Sequence, residues 1–341
     1  MSLTATAPGK IVICGEYAVV EGAPGIVAAS DRRARVTVEF SSRPGLTVNA
    51  LPLRSRPLEL AWKDGGLTGF SDADRPVVSL LDAVLKHLGP ALPAPLPGLD
   101  LTLDTRDFFD GGKKLGLGSS AALCMALLLA LARAFGAEKP NLQQAIRCHR
   151  AFQSGAGSGI DVAASLQGGL LAFSRGASPD RATAVRQDWP SGLGARLVWV
   201  GQSASTTARL ARLSEYQRQH PAAAAQAMQQ LKSRAEAAAR AFETGDAAVV
   251  MAAISGFYRT LLRLDGAAGL DVLTAPHHAC QRIVQGHDVL YKTCGAGGGD
   301  LGILLGTNED QLDQLAGNIN GSGYPTWPLA IGYQGAIVAD A

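Results

Sequence analysis

Two segments near the start of the chain, 11–20 and 25–40, are rich in Val and Ile and meet at the turn Ala23-Pro24-Gly25. Apolar runs bounded in this way predict two paired strands. Residues 41–75 are polar and punctuated by Pro and Gly, a pattern that predicts further short strands in a meander. Apolar residues at helical spacing over 77–88, closed by Gly89-Pro90, predict a helix, and 99–103 a short strand. From 119 to about 135 the chain is apolar on every helical face, so that helix belongs deep inside the fold. Asn141 suits an N-cap for a helix with Leu142, Ala145, Ile146, His149 and Phe152 on one side. A helix over 160–167 stops at Gly168-Gly169, with strands expected at 169–173 and 196–201 and a domain boundary in 174–193. Beyond it, 205–215, 222–243 and 246–264 read as helices, 301–305 and 329–336 as strands, with a helix over 311–321 between them. No fixed-period repeat interrupts this order, which predicts an α+β fold in two domains, 1–190 and 191–341.

The charge pattern narrows the function. Lys and Arg number 31 against 29 Asp and Glu, a net charge of +2 with no basic stripe or tail. Nucleic acid is thereby disfavoured as a partner, since phosphate-backbone binding needs clustered positive charge. The five cysteines are scattered without a CxxC pair, which argues against a disulfide framework and a zinc site and fits a reducing compartment. The opening MSLTATAPGK lacks a secretory pattern, and the longest apolar run, 121–132, is too short to span a bilayer. A cytoplasmic protein with no membrane partner is expected.

Three glycine-rich segments carry the candidate chemistry. In Lys113-Lys114-Leu115-Gly116-Leu117-Gly118-Ser119-Ser120-Ala121-Ala122 the glycines let backbone approach an anion, and the following helix offers free N–H groups and its positive end. The alternative is a capped helix after a tight turn; a Walker A loop is excluded by the residue order. In Gly157-Ser158-Gly159-Ile160-Asp161 the Ser-x-x-Asp spacing suits a capping box, or else places a carboxylate at a phosphate site. In Lys292-Thr293-Cys294-Gly295-Ala296-Gly297-Gly298-Gly299-Asp300 the glycines precede an apolar strand, which suits a sharp bend or ligand contact better than a linker.

Together with Ala7-Pro8-Gly9-Lys10 and Gly15-Glu16-Tyr17-Ala18-Val19, these segments in this order resemble the three-motif signature of the galactokinase, homoserine kinase, mevalonate kinase and phosphomevalonate kinase (GHMP) superfamily. Within it the phosphomevalonate kinases are most similar: Tyr17 follows Gly-Glu, the Gly-Ser-Gly-x-Asp-Val-Ala-Ala segment is present with His149 and Gln153 ahead of it, and Ala204-Ser205-Thr206 ends a matching stretch. The chain departs from that family at Gly155, where a Lys is frequent, and at Thr293-Cys294, where Pro-Ser is usual. Arg150 stands where mevalonate kinases carry a magnesium-binding Glu.

The resemblance implies a ribosomal-protein-S5-like N-terminal domain, a ferredoxin-like C-terminal domain, and ATP- and Mg²⁺-dependent phosphoryl transfer to a small molecule. It implies Lys10 and Asp161 as catalytic residues. Lys114, Gly116, Leu117, Gly118, Ser119, Ser120 and Ala121 would meet ATP, with Ser120 also on the metal. Glu16, Tyr17, Ser158, Gly159, Ser205, Thr206 and Gly297 would meet the acceptor. The expected acceptor is 5-phosphomevalonate; mevalonate, another alcohol or a sugar are the alternatives, and a non-catalytic nucleotide-binding protein is a more distant one. Arg147, Arg150, Lys113, Lys114, Arg209 and Lys292 are the cations available to an acceptor phosphate.

Overall fold

Two long strands, β1 (Ser2–Cys14) and β2 (Gly25–Ser41), begin a computed structural model that describes residues 2–155, 157–176, 178, 181–201 and 206–340. They pair antiparallel along most of their length. Leu3, Ala5 and Ala7 alternate with more exposed neighbours on β1, after which Ile11–Cys14 is buried throughout. The strand expected at 11–20 thus starts much earlier and ends sooner. Gly15 (φ 98°) and Tyr17 (φ 63°) turn into the left-handed region, and Ala18–Glu21 forms one 3-10 turn.

The predicted meander follows as β3 (Leu46–Leu51), β4 (Leu58–Lys63) and β5 (Gly66–Thr68). Next come α1 (Arg75–Leu88), β6 (Gly98–Asp104) and a two-residue-armed hairpin, β7 (Phe109–Asp110) and β8 (Lys113–Lys114). Three helices, α2 (Ser119–Ala134), α3 (Leu142–Phe152) and α4 (Ile160–Gln167), lead to β9 (Leu170–Ser174) and β10 (Thr183–Gln187). The sheet order is β10-β9-β2-β6-β3-β4-β5, with β1 on the other edge of β2. The all-round apolar α2 packs across β1 and β2 beside α4, as its composition requires. Asn141 does cap α3, accepting from the Gln144 N–H at 2.9 Å.

The rest of the chain builds a second sheet. Its elements are β11 (Gly194–Trp199), α5 (Thr206–Gln219), α6 (Pro221–Thr244), α7 (Ala247–Ala268), α8 (Ala275–Val284), β12 (Val289–Thr293), β13 (Leu301–Gly306), α9 (Glu309–Gly321) and β14 (Thr326–Pro328). The order β12-β13-β11-β14, antiparallel throughout, is the split-βαβ arrangement of ferredoxin-like folds, with four helices in its first crossover. By length and composition α7 would be able to cross a membrane. Here its residues Val250, Ile254, Phe257, Leu261 and Leu264 are buried in the core, and it packs along α6.

Within the segment 174–193, β10 pairs with β9 and extends the first sheet. Two expectations are corrected. The strand expected at 329–336 is reduced to a single bridge, Ser30 to Ile331. The regular strand comes later, as β15 (Ile337–Asp340), and pairs with β1, so the end of the chain rejoins the first sheet. Finally, Ser158 and Asp161 form no capping box: the N-cap of α4 is Gly159 (φ 91°), and Ser158 Oγ accepts from the Ile160 N–H instead.

Candidate active site

Lys10 owes its position to an irregularity. The β1–β2 register shifts between Pro8 and Lys10, and a bulge of this kind re-aims the side chain beside it. Gly9 at the bulge leaves no room for a Cβ, because the Leu117 carbonyl and the Phe108 ring come against it. That close approach lets the Lys10 N–H donate to Leu117 O at 2.7 Å, stitching β1 to the first glycine segment.

In that segment Leu115 and Leu117 are buried anchors, while Gly116 (φ 78°) and Gly118 (φ 79°) turn the backbone outward between them. Gly118 is the N-cap of α2 and gives its first turn no side-chain partner, so those N–H groups remain available to an anion. Lys10 lies along this turn: a Cβ on Gly118 would sit 2.7 Å from Lys10 Cγ. Gly118→Ala is therefore expected to force a left-handed alanine, at about 1–2 kcal/mol, and to displace Lys10. A loss of kcat up to about 10²-fold should accompany it, the scale for an ångström-level misplacement. Unchanged kcat in a steady-state assay would contradict this placement.

The third segment closes over the first. Its loop joins β12 to β13, held by Cys294 N–H to Leu301 O at 2.9 Å and Gly298 N–H to Val272 O at 2.8 Å. A Cβ on Gly295 would lie 3.7 Å from Lys10 Nζ, and Asp300 (φ 58°) packs its side chain against Gly116. Beneath the loop, the His277 ring is 2.6 Å from Tyr291 Oη and 3.4 Å from Gly299 O. Burial lowers the His277 pKa to about 4, so the imidazole is neutral at pH 7.

Two bonds tie this loop to the turn after β1. Tyr17 Oη donates to Ala296 O at 2.6 Å, and Lys292 Nζ donates to Glu16 Oε1 at 2.7 Å. The Glu16–Lys292 pair is almost completely buried, with side chains 1% and 0% exposed. Burial works against the lysine charge, but Glu16 outweighs it and holds Lys292 above the usual lysine range. Lys292 is therefore spoken for and is removed from the cations that can reach an acceptor.

The second segment supplies the facing wall. Asp161, in the first turn of α4, accepts from the Val162 N–H at 2.9 Å, and its other oxygen is 3.9 Å from His149 Nδ1. The opposite ring nitrogen of His149 is 3.5 Å from Ser120 Oγ. Burial, partly opposed by Asp161, pushes the His149 pKa down, so a neutral ring links α2 to α4.

A cavity of about 180 Å³ opens among these parts. Lys10, Asp161, Glu16, Tyr17, Ser158 and Thr206 line it, as the motifs suggest. Gly295 and Ala296 also line it, whereas Gly297 faces away onto Val272 and Gly159 packs on Ile146. Gly118 lies along Lys10, Ser119 and Ser120 begin α2 and Gly116 packs on Asp300, and none of the four is in the cavity wall. Leu117 and Ala121 have buried side chains and present only backbone, and Lys114 is exposed on the β7–β8 hairpin. Lys113 stands over the Trp199 ring at 5.6 Å. Ser205 lies outside the described residues. Sequence reasoning did not single out Val12, Val19, Val20, Ile160 and Leu210, the apolar part of the wall. Alternation along β1 was the available signal for Val12, two residues from Lys10 and thus on its face.

Among the described residues no three His, Cys, Asp or Glu side chains are grouped to hold a metal. A magnesium ion carried by a nucleotide needs no such cage, only one or two protein oxygens beside the phosphates. The Ser120 hydroxyl, in the first turn of α2, is an oxygen of that kind, whereas Asp161 is held apart from it by the His149 ring.

Comparison with known proteins gives these features a context. The family model "GHMP kinases N terminal domain" matches residues 77–169. A phosphomevalonate kinase from Streptomyces sp. (strain CL190) is 30% identical, the match covering 90% of each chain. A mevalonate kinase from Thermococcus sibiricus is also 30% identical, but over 52% of this chain and 53% of its own. Among solved structures, Streptococcus pneumoniae phosphomevalonate kinase in complex with phosphomevalonate and AMPPNP superimposes with a TM-score of 0.77 at 17% identity, covering 96% of this chain and 99% of that one.

Proposed function

The chain belongs to the GHMP kinases, and from that premise we propose that it transfers the γ-phosphoryl group of ATP to 5-phosphomevalonate, yielding 5-diphosphomevalonate and ADP. One observation carries the proposal: three glycine segments distant in sequence meet around Lys10, with Gly118 along its stem, Gly295 at its amine and Asp161 across the same cavity. The relative matched over nine-tenths of both chains acts in this sense by its name.

On this reading the free N–H groups at the start of α2 hold the ATP phosphates, with Ser119 and Ser120 beside them. Phosphoryl transfer asks for positioning and charge stabilisation rather than covalent help. An oxygen of the acceptor phosphate bonds to the γ-phosphorus while the bond to the β–γ bridging oxygen breaks. Lys10 offsets the charge spread over the transferring group. When bound, Mg²⁺ would be held by Ser120 and would offset negative charge on the nucleotide phosphates. The acceptor phosphate is already largely ionised near pH 7, given a second pKa of about 6. Asp161 therefore orients Lys10 and the acceptor's hydroxyl instead of removing a proton. The five free, buried thiols support a cytoplasmic setting.

Asp161→Asn is expected to lower kcat by about 10–10²-fold through misplacement with an unchanged melting temperature, because no capping box is lost. Full activity in that variant would remove Asp161 from the mechanism. An alcohol acceptor such as mevalonate is the second reading, favoured by the same carboxylate, which is placed to act as a base. ADP release measured side by side with phosphomevalonate, mevalonate and galactose separates the two. Phosphomevalonate should give the highest kcat/KM, and a higher value for mevalonate or galactose would overturn the assignment.

A further inference from the structure

Four consecutive residues of the third glycine segment, Gly297 (φ 73°), Gly298 (φ 76°), Gly299 (φ 146°) and Asp300 (φ 58°), lie at positive φ. The glycines take that region freely. Asp300 does not, and a side chain stays there only where its surroundings fix the backbone around it. After Asp300 the chain is held at once: Val200 N–H donates to Asp300 O at 3.0 Å, and Leu301 enters β13. Before it, the Gly299 carbonyl turns beneath the segment to His277, in the first turn of α8.

The His277 ring is completely buried, with Nδ1 2.6 Å from Tyr291 Oη and Nε2 3.4 Å from Gly299 O. Being neutral at pH 7, it carries one N–H, and its two partners decide where. A carbonyl can only accept, so the proton is on Nε2 and is donated to Gly299 O, while Nδ1 accepts from the Tyr291 hydroxyl. Tyr291 thereby pins the tautomer that the segment needs. Space for its phenol is left by the neighbouring strand, where a Cβ on Gly302 would overlap Tyr291 Oη.

The peptide that His277 holds from below is the one that seats the segment above. It leads directly into Asp300, whose side chain packs on Gly116 of the first glycine segment. At the other end of the same loop, Gly295 comes beside Lys10 Nζ. His277 itself lies outside the cavity wall.

We propose that His277 is a positioning residue for phosphoryl transfer, whose Nε2–H holds the Gly299 carbonyl and so keeps the third glycine segment seated on Gly116 and beside Lys10. No proton moves through it. Its part in transfer rests on the kinase reading, but the seating of the segment is measurable without turnover.

Two amides separate the two ring nitrogens. The longer side chain of His277→Gln reaches as far as Nε2 and can still donate to Gly299 O, whereas that of His277→Asn reaches only the place of Nδ1 and serves Tyr291 alone. His277→Asn is expected to lower kcat with ATP and phosphomevalonate by about 10–10²-fold, the scale for a misplaced reacting centre. KM for ATP should change less, because the N–H groups at the start of α2 stay in place. Hydrogen–deuterium exchange over 294–300 should quicken in the same variant, as Cys294 N–H and Gly298 N–H lose protection. His277→Gln should bring both readouts back toward the parent even at an equally lowered melting temperature. Tyr291→Phe, which loses only the O–H that pins the tautomer, should move both in the direction of His277→Asn, but by less. Equal losses in His277→Asn and His277→Gln, a kcat that merely follows melting temperature across the three variants, or unchanged kcat and exchange in His277→Asn overturns the proposal. Absence of turnover in the unmodified protein, with the exchange pattern across the variants as expected, would instead overturn the kinase reading and leave the seating by His277 standing.

Discussion

Replacing Lys10 by Ala lowers kcat by roughly 10²–10³-fold, the scale for losing one donor aimed at a transferring or developing anion, while leaving the fold intact. The side chain is only part-buried, and its carbons rest on Gly118, so truncation opens space at the surface of the site rather than in the core. The backbone N–H that stitches β1 to Leu117 is retained in the variant. A normal melting temperature with a large fall in kcat, and a smaller change in KM for ATP, is therefore the expected pattern. Arginine in the same place restores charge but not shape, because the bulge and Gly118 accommodate a thin unbranched stem, and it should recover only part of the activity. Turnover within about threefold of the parent in Lys10→Ala, against the 10²-fold or more expected, would take Lys10 out of the reaction.

The largest stability effect is expected at the buried ion pair. Lys292→Met leaves the Glu16 carboxylate enclosed with no counterion, next to Cys14, Tyr258 and Cys294, and should cost about 3–5 kcal/mol. Glu16 has little else to turn to, since its Oε2 already lacks a hydrogen-bond partner. Lys292 itself also donates to Thr293 O at 2.6 Å and stands 5.8 Å from the Tyr258 ring, so its removal loosens the strand that leads into the third glycine segment. Combining Lys292→Met with Glu16→Gln removes both charges, and most of the lost stability should return. Urea denaturation of the two single variants and the double variant measures this cycle. Additive losses would show that the two residues act independently and that the pair is not what joins the β1 turn to β12.

The sequence made some of this architecture readable and concealed the rest for identifiable reasons. The strand β2 and helix α2 carry long uninterrupted apolar patterns, and Asn141 with Gln144 forms the capping box that its spacing suggests. The first half of β1 carries little strand signal, because Leu3, Ala5 and Ala7 alternate with threonines and give weak hydrophobic contrast. Its expected far end runs past Cys14 because Tyr17, Val19 and Val20 are good strand formers, whereas the chain turns at Gly15 and Tyr17 and the Tyr17 hydroxyl reaches Ala296 O. Short elements such as α8 and β12 were missed; Lys292 inside β12 reads as a surface charge until its partner, 276 residues away, is known. The Ser158–Asp161 capping box failed for a local reason: Gly159 takes the cap position in a conformation that serine cannot easily adopt.

For the site, the family resemblance names Lys10, Asp161, Glu16, Tyr17, Ser158 and Thr206, and these six line one cavity. What order alone could not supply is which face of each loop turns inward, as Gly297 and Gly159 illustrate. The His149 bridge between Ser120 and Asp161 was likewise hidden, because a histidine on an apolar helix face carries no signature of its neighbours. The boundary expected near 190 separates the strands of the two sheets except for β15, which returns to β1 at the end of the chain.

The most direct measurement is a crystal structure with a non-hydrolysable ATP analogue and phosphomevalonate bound together. The γ-phosphorus should lie between the start of α2 and the acceptor phosphate, with Lys10 Nζ within hydrogen-bond reach of a γ oxygen. A triphosphate bound away from Gly118 and Ser119, or Lys10 pointing elsewhere while both ligands are in place, would contradict the convergence on which the kinase mechanism depends.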